Sequence, residues 1–564
     1  MFSIALPEKA PQEVSEQFPE YSEILVQLLF NRGLRTAHEV ELFLNPEYHH
    51  LHDPYLFRHM QRACERIYRA IQSHELIAVH GDYDADGVSG TVIIESVLKA
   101  LGARTMAYLP HREKEGYGLN TNTVNFFNDQ GARLIITCDC GISNSEEILR
   151  ATSHGIDTII TDHHQIPPSI PEAYAIIHPK IPDEPYPFKF LAGGGVAFKL
   201  GQALLRHSAC QLSPIEKERT EKWLLDLTAI STVADMVELI GENRVLTHYG
   251  LLVLSKNRRL GLRHLYSLAG IDEKKISTHT IGFQIAPRIN AAGRMDHANT
   301  AYKLLTAESD AEGHEFATLL ESQNRSRQKK TEEIFREALD LAEGLEGSPV
   351  IVLYQKHWLA GITGLVASKI SKHFGKPAFI LAFDGKRIVG SGRSPEGINI
   401  LRPVHDIRER LISYGGHLQA CGFKFSEEAY EEVAGLLKNS FRSLDAERGE
   451  SRGVPVDAAI RLSDISWELV DWLQKFEPYG QVNPEPLFFT ENVEVVAARR
   501  VGSSLAHLKL ALRSMSKTLP AIAFSTATSV QAGDFLDILY HVRTNEWNGN
   551  REIQLNITQL NVHE

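Results

Sequence analysis

Between about Glu75 and Asp235, short runs of aliphatic and β-branched residues alternate with amphipathic stretches, the pattern of a parallel sheet wrapped by helices. LIAVHGDYDADG predicts a strand over 76–79 followed by a loop, and VSGTVIIESVLKALG predicts the next helix, stopped at Gly102. RLIITCDCG and DTIITDHH repeat the theme of strand then polar loop, and all three loops open on carboxylates or histidines. Ligand sites in open α/β sheets lie just beyond the carboxyl ends of the strands, so the three loops are expected side by side. Thr300 to Gly344, rich in Ala, Leu, Glu, Gln, Lys and Arg and free of Pro, predicts one or two long connecting helices. Its basic run NRSRQKK reads as a solvated helix face, with nucleic-acid contact as the alternative. A second α/β region starts at SPVIVLYQ and runs to about Phe441. Beyond the charged linker SLDAERGESRGVP the pattern turns strand-like, and several short strands with turn signals predict a small β-barrel of the oligonucleotide-binding type.

Length changes this picture little: 564 residues exceed what one core supports, so several domains are expected. The first 24 residues hold no basic segment leading into a sustained apolar stretch, so neither a signal peptide nor a spanning helix is expected, and the cytoplasm is the default. Five cysteines, odd in number and without zinc-like spacing, are expected to be buried reduced thiols. A formal charge of −12 argues against a protein that coats duplex DNA with a large positive surface, but leaves room for a locally basic channel.

The chemistry concentrates in His80-Gly-Asp82-Tyr-Asp84-Ala-Asp86-Gly87. Three carboxylates at alternate positions repel one another unless cations lie among them. An EF-hand is discarded, because the segment follows an apolar strand and lacks the twelfth-position glutamate. Asp139 follows the next strand and Asp162-His163-His164 the one after. Carboxylates and imidazoles without thiolate favour Mn²⁺ or Mg²⁺, with zinc as runner-up. Singly, each acid reads as a cap or a solvated side chain; three successive strand ends bearing such residues read as one site.

Asp162-His163-His164 is the signature of the DHH phosphoesterase superfamily, and GDYDADG, DCG and TVADM resemble that superfamily's other metal motifs as they occur in the RecJ exonucleases. LPHREKEGYGL, RINAAGRM, GSGRS, GGHLQACGF and PYGQVNPEPLF extend the resemblance, in order, from about residue 45 onward. It implies an α/β architecture in which a parallel-sheet DHH domain is joined by a long helix to a second α/β DHH-associated domain, followed by a C-terminal oligonucleotide-binding β-barrel. The implied boundaries are 1–45 for an N-terminal helical segment, 46–262 for the DHH catalytic domain and 263–345 for the linker and connecting helix. The DHH-associated domain is expected over 346–450 and the barrel over 451–564. Two departures stand out: Val482 where these sequences usually carry glycine, and Gly193 where cysteine is common. Both are expected to affect loop shape away from the metals.

The implied activity is a single-stranded-DNA-specific 5′-to-3′ exonuclease that releases mononucleotides by two-metal-ion hydrolysis in recombination and repair. Asp86, Asp139, His163 and Asp235 are expected to hold one cation, and Asp84 and Asp139 the other, with Asp82 or His80 completing that shell. Asp235 comes from the resemblance alone; unaided, it reads as a helix-surface aspartate. His164 is expected at the scissile phosphate, with Asp162 fixing a histidine tautomer. Arg112, Ser391 and Arg393 are expected to hold a 5′-phosphate, and Gly415, Gly416 and His417 to line the nucleotide's approach. Arg288, Asn290 and Arg294 read equally as strand contacts or as bracing between the lobes. His507, Lys509 and Trp547 are expected on the barrel's strand-binding face, whereas core packing suits Tyr540. A single-strand-binding protein and a RecQ-type helicase are the implied partners. Two rivals are a DHH-family oligoribonuclease or dinucleotide phosphodiesterase, which would lack the barrel and long helix, and a non-catalytic DHH scaffold, which would have broken ligand positions.

Overall fold

A computed structural model describes residues 2–345, 347–445, 453–502, 504–547 and 549–563. Its first sheet is fully parallel, with the order Arg104–Tyr108, Leu76–Gly81, Ala132–Cys138, Asp157–Thr161, Ala175–Ile177. All six residues of Leu76–Gly81 are buried, because helices cover both sheet faces. This strand order reverses between Leu76–Gly81 and Ala132–Cys138, so the loops after those strands diverge and open a crevice between them. The three acidic loops therefore sit on adjacent strands.

The helix after the first strand begins at Ala85, three residues before the start read from the apolar pattern. Asp84 causes this: its carboxylate accepts from the backbone N–H groups of Asp86 and Gly87 and caps the helix. The 300–344 stretch forms two helices, Asn299–Thr306 and Asp310–Ala342, with Ser309 capping the second through the Glu312 N–H. A second sheet follows, ordered Ser413–His417, Ala420–Phe425, Ile388–Arg393, Ala378–Phe383, Ile351–Tyr354. The linker read at 443–455 lies largely outside the described residues.

The last sheet closes on itself. Phe488–Val501 pairs antiparallel with both His507–Ser514 and Phe535–Trp547, and the parallel pairing of Lys517–Ala523 with Asn550–Val562 completes a five-stranded barrel. The N-terminal helices Glu23–Asn31 and Ala37–Leu44 share one apolar core with this barrel and with the helix Trp467–Lys475. The chain's two ends thus build one module. Arg244, buried in the first domain, fastens it by donating to the carbonyls of Phe43, Lys475, Phe476 and Glu477. A charged group this deeply buried is tolerated because its donors are satisfied by backbone oxygens. The five cysteines are buried and unpaired with one another. Among the described residues no helix is long and apolar enough to cross a membrane.

Val482 explains one of the sequence departures. Gly480 and Asn483 exchange backbone hydrogen bonds across a two-residue turn, and Val482 occupies its second central position at φ +67°. That region suits glycine and strains a β-branched residue by roughly 1–3 kcal/mol. Val482→Gly is expected to raise the melting temperature of the C-terminal module by about 2 °C, the relief of strain outweighing glycine's entropic cost. An unchanged or lower midpoint in a calorimetric scan would show that the turn holds no such strain.

Candidate active site

Asp82, Asp84, Asp86, Asp139, His163, His164 and Asp235 converge from four segments of the chain. Asp84 and Asp86 follow the first strand, and Asp86 is fixed at the start of the helix Gly193–Arg206: the N–H groups of Gly193 and Gly194 donate to its carboxylate at 2.8 and 2.7 Å, and Ser231 Oγ donates at 2.6 Å. Partial positive charge at a helix N-terminus suits a carboxylate. Asp139 follows the third strand at φ +63°, held there by its N–H donating to Thr161 O on the neighbouring strand. His163 follows Asp157–Thr161, its carbonyl accepting from Lys180 Nζ at 2.6 Å. Asp235 ends the helix Leu225–Ala234.

His163 Nε2 lies 3.1 Å from Asp139 Oδ1 and 3.6 Å from both Asp86 Oδ2 and Asp235 Oδ2. Donors about 2.1 Å from a common octahedral ion stand roughly 3.0 Å apart when adjacent, so the set fits one cation. Asp82, Asp84 and Asp139 form a second group with donor atoms within 4.8 Å of one another, and Asp139, His163 and His164 a third. Asp139 joins the groups. Asp139 Oδ1, Asp82 Oδ1 and His163 Nε2 are buried and lack hydrogen-bond partners among the described residues. Such atoms are costly to bury alone, and cations are what this oxygen-and-nitrogen set accommodates.

The electrostatics agree. Burial first, then the neighbouring carboxylates, push Asp139 and Asp235 well above the ordinary carboxylate range. Burial and Asp84 raise Asp82 likewise, and raise Asp86 to about 6. Burial holds His163 well below the usual imidazole value, so it presents the neutral, ligating form.

Asp162 stays out of these groups because its oxygens are spent: they accept from the N–H groups of His163, His164 and Ile142 and from His164 Nδ1 at 2.8 Å. Burial is the largest influence and opposes charge on His164, but the Asp162 hydrogen bond and the charges of Asp162, Asp235 and Asp86 together outweigh it and raise the imidazole to about 9. Tyr117 carries no mark of a site residue in the sequence. Its hydroxyl donates to the Asp139 carbonyl at 3.0 Å and lies 2.9 Å from His164 Nδ1. GYGL was legible as a motif, but nothing local told that its tyrosine reaches two other loops.

A cleft of about 680 Å³ separates this cluster from the second sheet, lined by Tyr83, Arg112, Tyr117, Ser391, Gly415 and Lys424, among others. Arg112 lies over the Tyr83 ring at 4.9 Å. Arg294 is deeply buried and held down to about 9 by that burial and by Arg112, Arg327 and Arg393. Arg112 lines the cleft, and Arg294 lies behind it with Arg327 and Arg393 in electrostatic reach, a concentration of positive charge that suits an anion. In the sequence, Arg327 is marked only by its place in the NRSRQKK run. Ser391 Oγ is 2.9 Å from Thr363 Oγ1 beside Arg393, and Gly416, paired with Cys421 next to the hairpin turn, stands at φ +146°, where a Cβ would meet Ala420 O at 2.2 Å. His417 ends that strand within electrostatic reach of His164 and Lys180.

Several expectations need correction. His80 joins none of the donor groups; its strand position turns the ring onto Tyr108 and Phe127, with Nδ1 3.6 Å from Cys140 Sγ. Asp82 is the residue beside Asp84. Of the two readings open for Arg288, its contacts fit bracing: it is engaged by Glu321 at 2.7 Å and donates to the Gln284 carbonyl, tying the connecting helix. Asn290 braces too: its Oδ1 accepts from the Ala85 N–H at 2.8 Å and pins the acidic loop. Gly193 is no remote loop residue, because a Cβ there would stand 2.5 Å from Asp139 Cβ. His507 and Lys509 share the outward face of their strand, Tyr540 is fully buried, and the Trp547 side chain lies outside the described residues.

Three family models match the chain: "DHH family, N-terminal domain" at residues 76–232, "DHHA1 domain" at 347–443 and "RecJ OB domain" at 456–559. The single-stranded-DNA-specific exonuclease RecJ of Bacillus subtilis is 36% identical, over 96% of this chain and 68% of that protein. The RecJ of Escherichia coli is 32% identical, over 99% of both. The crystal structure of Thermus thermophilus RecJ in complex with Mn²⁺ superposes with TM-score 0.84 at 28% identity, covering 100% of this chain and 80% of that one; its Mg²⁺ complex gives 0.77.

The raised carboxylates set a pH dependence. Asp86 titrates near 6 when folded, above its ordinary 3.8, so the folded state holds more protons between those values. Its favourable contribution is complete below about pH 4 and is lost as pH rises through about 6. In EDTA, the melting temperature of the wild type is therefore expected to fall relative to Asp86→Asn from pH 4 to 7. Mn²⁺ at about a hundred times its dissociation constant should restore about 5 °C at pH 7 and much less at pH 5, where protons compete. Parallel curves with no response to Mn²⁺ would count against a cation in this cluster.

Proposed function

The chain belongs to the RecJ family of single-stranded-DNA-specific exonucleases, and we propose that it degrades single-stranded DNA from the 5′ end, releasing mononucleotides. The observation that carries this reading is the abutment of a cation-demanding carboxylate–imidazole cluster and a cleft lined by Arg112, Ser391 and Lys424, with Tyr83 and Tyr117 at their seam. Asp86, His163, Asp235 and Asp139 would hold one divalent cation, and Asp82, Asp84 and Asp139 the other, Mn²⁺ or Mg²⁺. Such ions, when bound, supply Lewis acidity and an activated water for in-line hydrolysis of a phosphodiester.

The chain's own residues do the rest. Asp162 anchors His164 through Nδ1, which leaves Nε2 to meet the scissile phosphate, and the elevated imidazole offers a charged donor at neutral pH. Tyr117 backs this histidine while binding the Asp139 carbonyl, so one hydroxyl aligns a phosphate-facing group with a ligand loop. Arg112, Arg393 and Ser391 take the terminal 5′-phosphate, and Arg294 and Arg327 supply the field behind them. Gly415 and Gly416 let the nucleotide lie close to backbone, with His417 at the rim. The barrel face bearing His507 and Lys509 receives the strand farther along.

The complete donor set weighs against a non-catalytic scaffold, and the barrel weighs against a dinucleotide phosphodiesterase. Recombination and repair, the cytoplasm, and cooperation with a single-strand-binding protein and a RecQ-type helicase follow from the family relationship as parts of the same proposal.

With 5′-phosphorylated single strands and Mn²⁺, Asp139→Ala is expected to lower kcat by about 10³-fold or more while duplex ends stay intact. Release from the 3′ end, or equal digestion of duplex, would refute the assignment. Arg393→Ala should raise KM roughly 10–100-fold for a 5′-phosphorylated strand and leave a 5′-hydroxyl strand little affected; equal losses on both would remove the arginine from the terminal site. Tyr117→Phe should lower kcat about tenfold with Mn²⁺ affinity unchanged by calorimetry, and a matching loss of Mn²⁺ affinity would make the tyrosine a support of the metal loop alone.

A further inference from the structure

Beside Asp235 lies a second cavity, of about 500 Å³, that none of the roles above uses. Met236, Leu239, His279, Phe283, Asn290 and Tyr479 are among its lining. Two backbone irregularities aim apolar side chains at it. Met236, directly after Asp235, stands at φ +57° and is 69% exposed. Phe283 sits in a five-residue π-helical turn, Ile281–Ile285, and is 72% exposed, its ring stacked on His279 at 4.5 Å. Single π turns are rare inside helices and concentrate at functional sites. Large apolar groups this exposed at the mouth of a cavity mark a binding surface.

The chemistry of the occupant follows from what the cavity holds and lacks. Among the described residues no lysine or arginine lines it, and Glu485 on its rim is paired with Arg543, so a phosphate is not what it binds. Aromatic and thioether groups around a slot suit a flat, neutral ring. Its position supplies the rest. Tyr83 lines the cleft beside Arg112, Asp84 and Asp86 enter the donor cluster, and Asn290, which accepts from the Ala85 N–H, lines this cavity. The two cavities share no lining residue and flank the cluster. The far wall is the 479–485 segment, which runs into the first barrel strand, Phe488–Val501.

We infer that this cavity is a nucleobase site, in which an unpaired base on the 3′ side of the scissile bond stacks on Phe283 and packs against Met236 as the strand passes from the metal cluster to the barrel. The inference rests on the exonuclease reading and adds a position-specific contact to it. A base paired in a duplex cannot turn into such a slot, so the site contributes to the preference for single strands.

The test is an abasic scan. Single strands with a 5′-phosphate and one tetrahydrofuran abasic residue at successive positions are compared on the wild type, Phe283→Ala and Phe283→Trp, all with Mn²⁺. One position near the 5′ end is expected to raise KM about tenfold on the wild type and to have no further effect on Phe283→Ala, whose KM is already raised about tenfold on the unmodified strand; Phe283→Trp restores both. In the wild type, 5-iodouracil at that position should photo-crosslink to the segment containing Phe283, which needs no variant to fold. A flat scan on an active wild type, or crosslinks that avoid this segment, overturns the base site and leaves the exonuclease reading standing. That result would return the cavity to an apolar peptide or to packing. A wild type that digests no single strand removes both.

Discussion

Like charges held together out of water govern this molecule. Two carboxylates about 4 Å apart cost each other roughly 4 kcal/mol at the effective dielectric of a protein, and Asp82, Asp84, Asp86, Asp139 and Asp235 crowd one largely buried site, with Asp84 and Asp235 at its open side. Burial and mutual repulsion therefore push Asp82, Asp86, Asp139 and Asp235 toward the protonated form, and cations are the natural remedy. A protein that keeps such a cluster must oppose its tendency to spread. Here that opposition comes from backbone: the helix start at Gly193 and Gly194 clasps Asp86, Thr161 O fixes the loop of Asp139, and Asn290 pins the loop at Ala85.

The fold makes those restraints available in one place. Reversal of strand order between Leu76–Gly81 and Ala132–Cys138 parts their loops, and the parallel direction brings every ligand-bearing strand end to the same edge of the sheet. With the backbone as it stands here, a side chain at 193 would collide with Asp139, so glycine lets the two segments close together. The imidazoles divide by environment. His163, buried and facing carboxylates, stays neutral, whereas His164, bonded to Asp162, favours its charged form.

Around the cluster the surroundings alternate in character: arginines on the side of the second sheet, then acids, then the apolar pocket beside Asp235 that leads toward the barrel. A polyanion with flat apolar bases presents complementary groups in a similar succession. The barrel module is fastened by Arg244, whose buried guanidinium gathers carbonyls from Phe43 and from the turn after Trp467–Lys475. The N-terminal helices share that module's core, so the two chain ends and the first domain meet at one residue.

The sequence by itself determined the parallel sheet, the acidic loops at its strand ends, the connecting helices and the β-rich end, because side-chain periodicity and turn chemistry are local. It also located Asp82 to Asp86, Asp139 and His163, since each lies directly after an apolar strand. Asp235 needed family resemblance, for nothing around it distinguishes a ligand from a solvated helix end. Only the tertiary structure decided that His80 faces an aromatic pair, that Arg288 and Asn290 brace other elements, that Tyr117 reaches His164, and that Gly193 backs Asp139. Those facts depend on which distant segments share a few ångströms, and pairwise contact across hundreds of residues leaves no mark on the spacing of either partner.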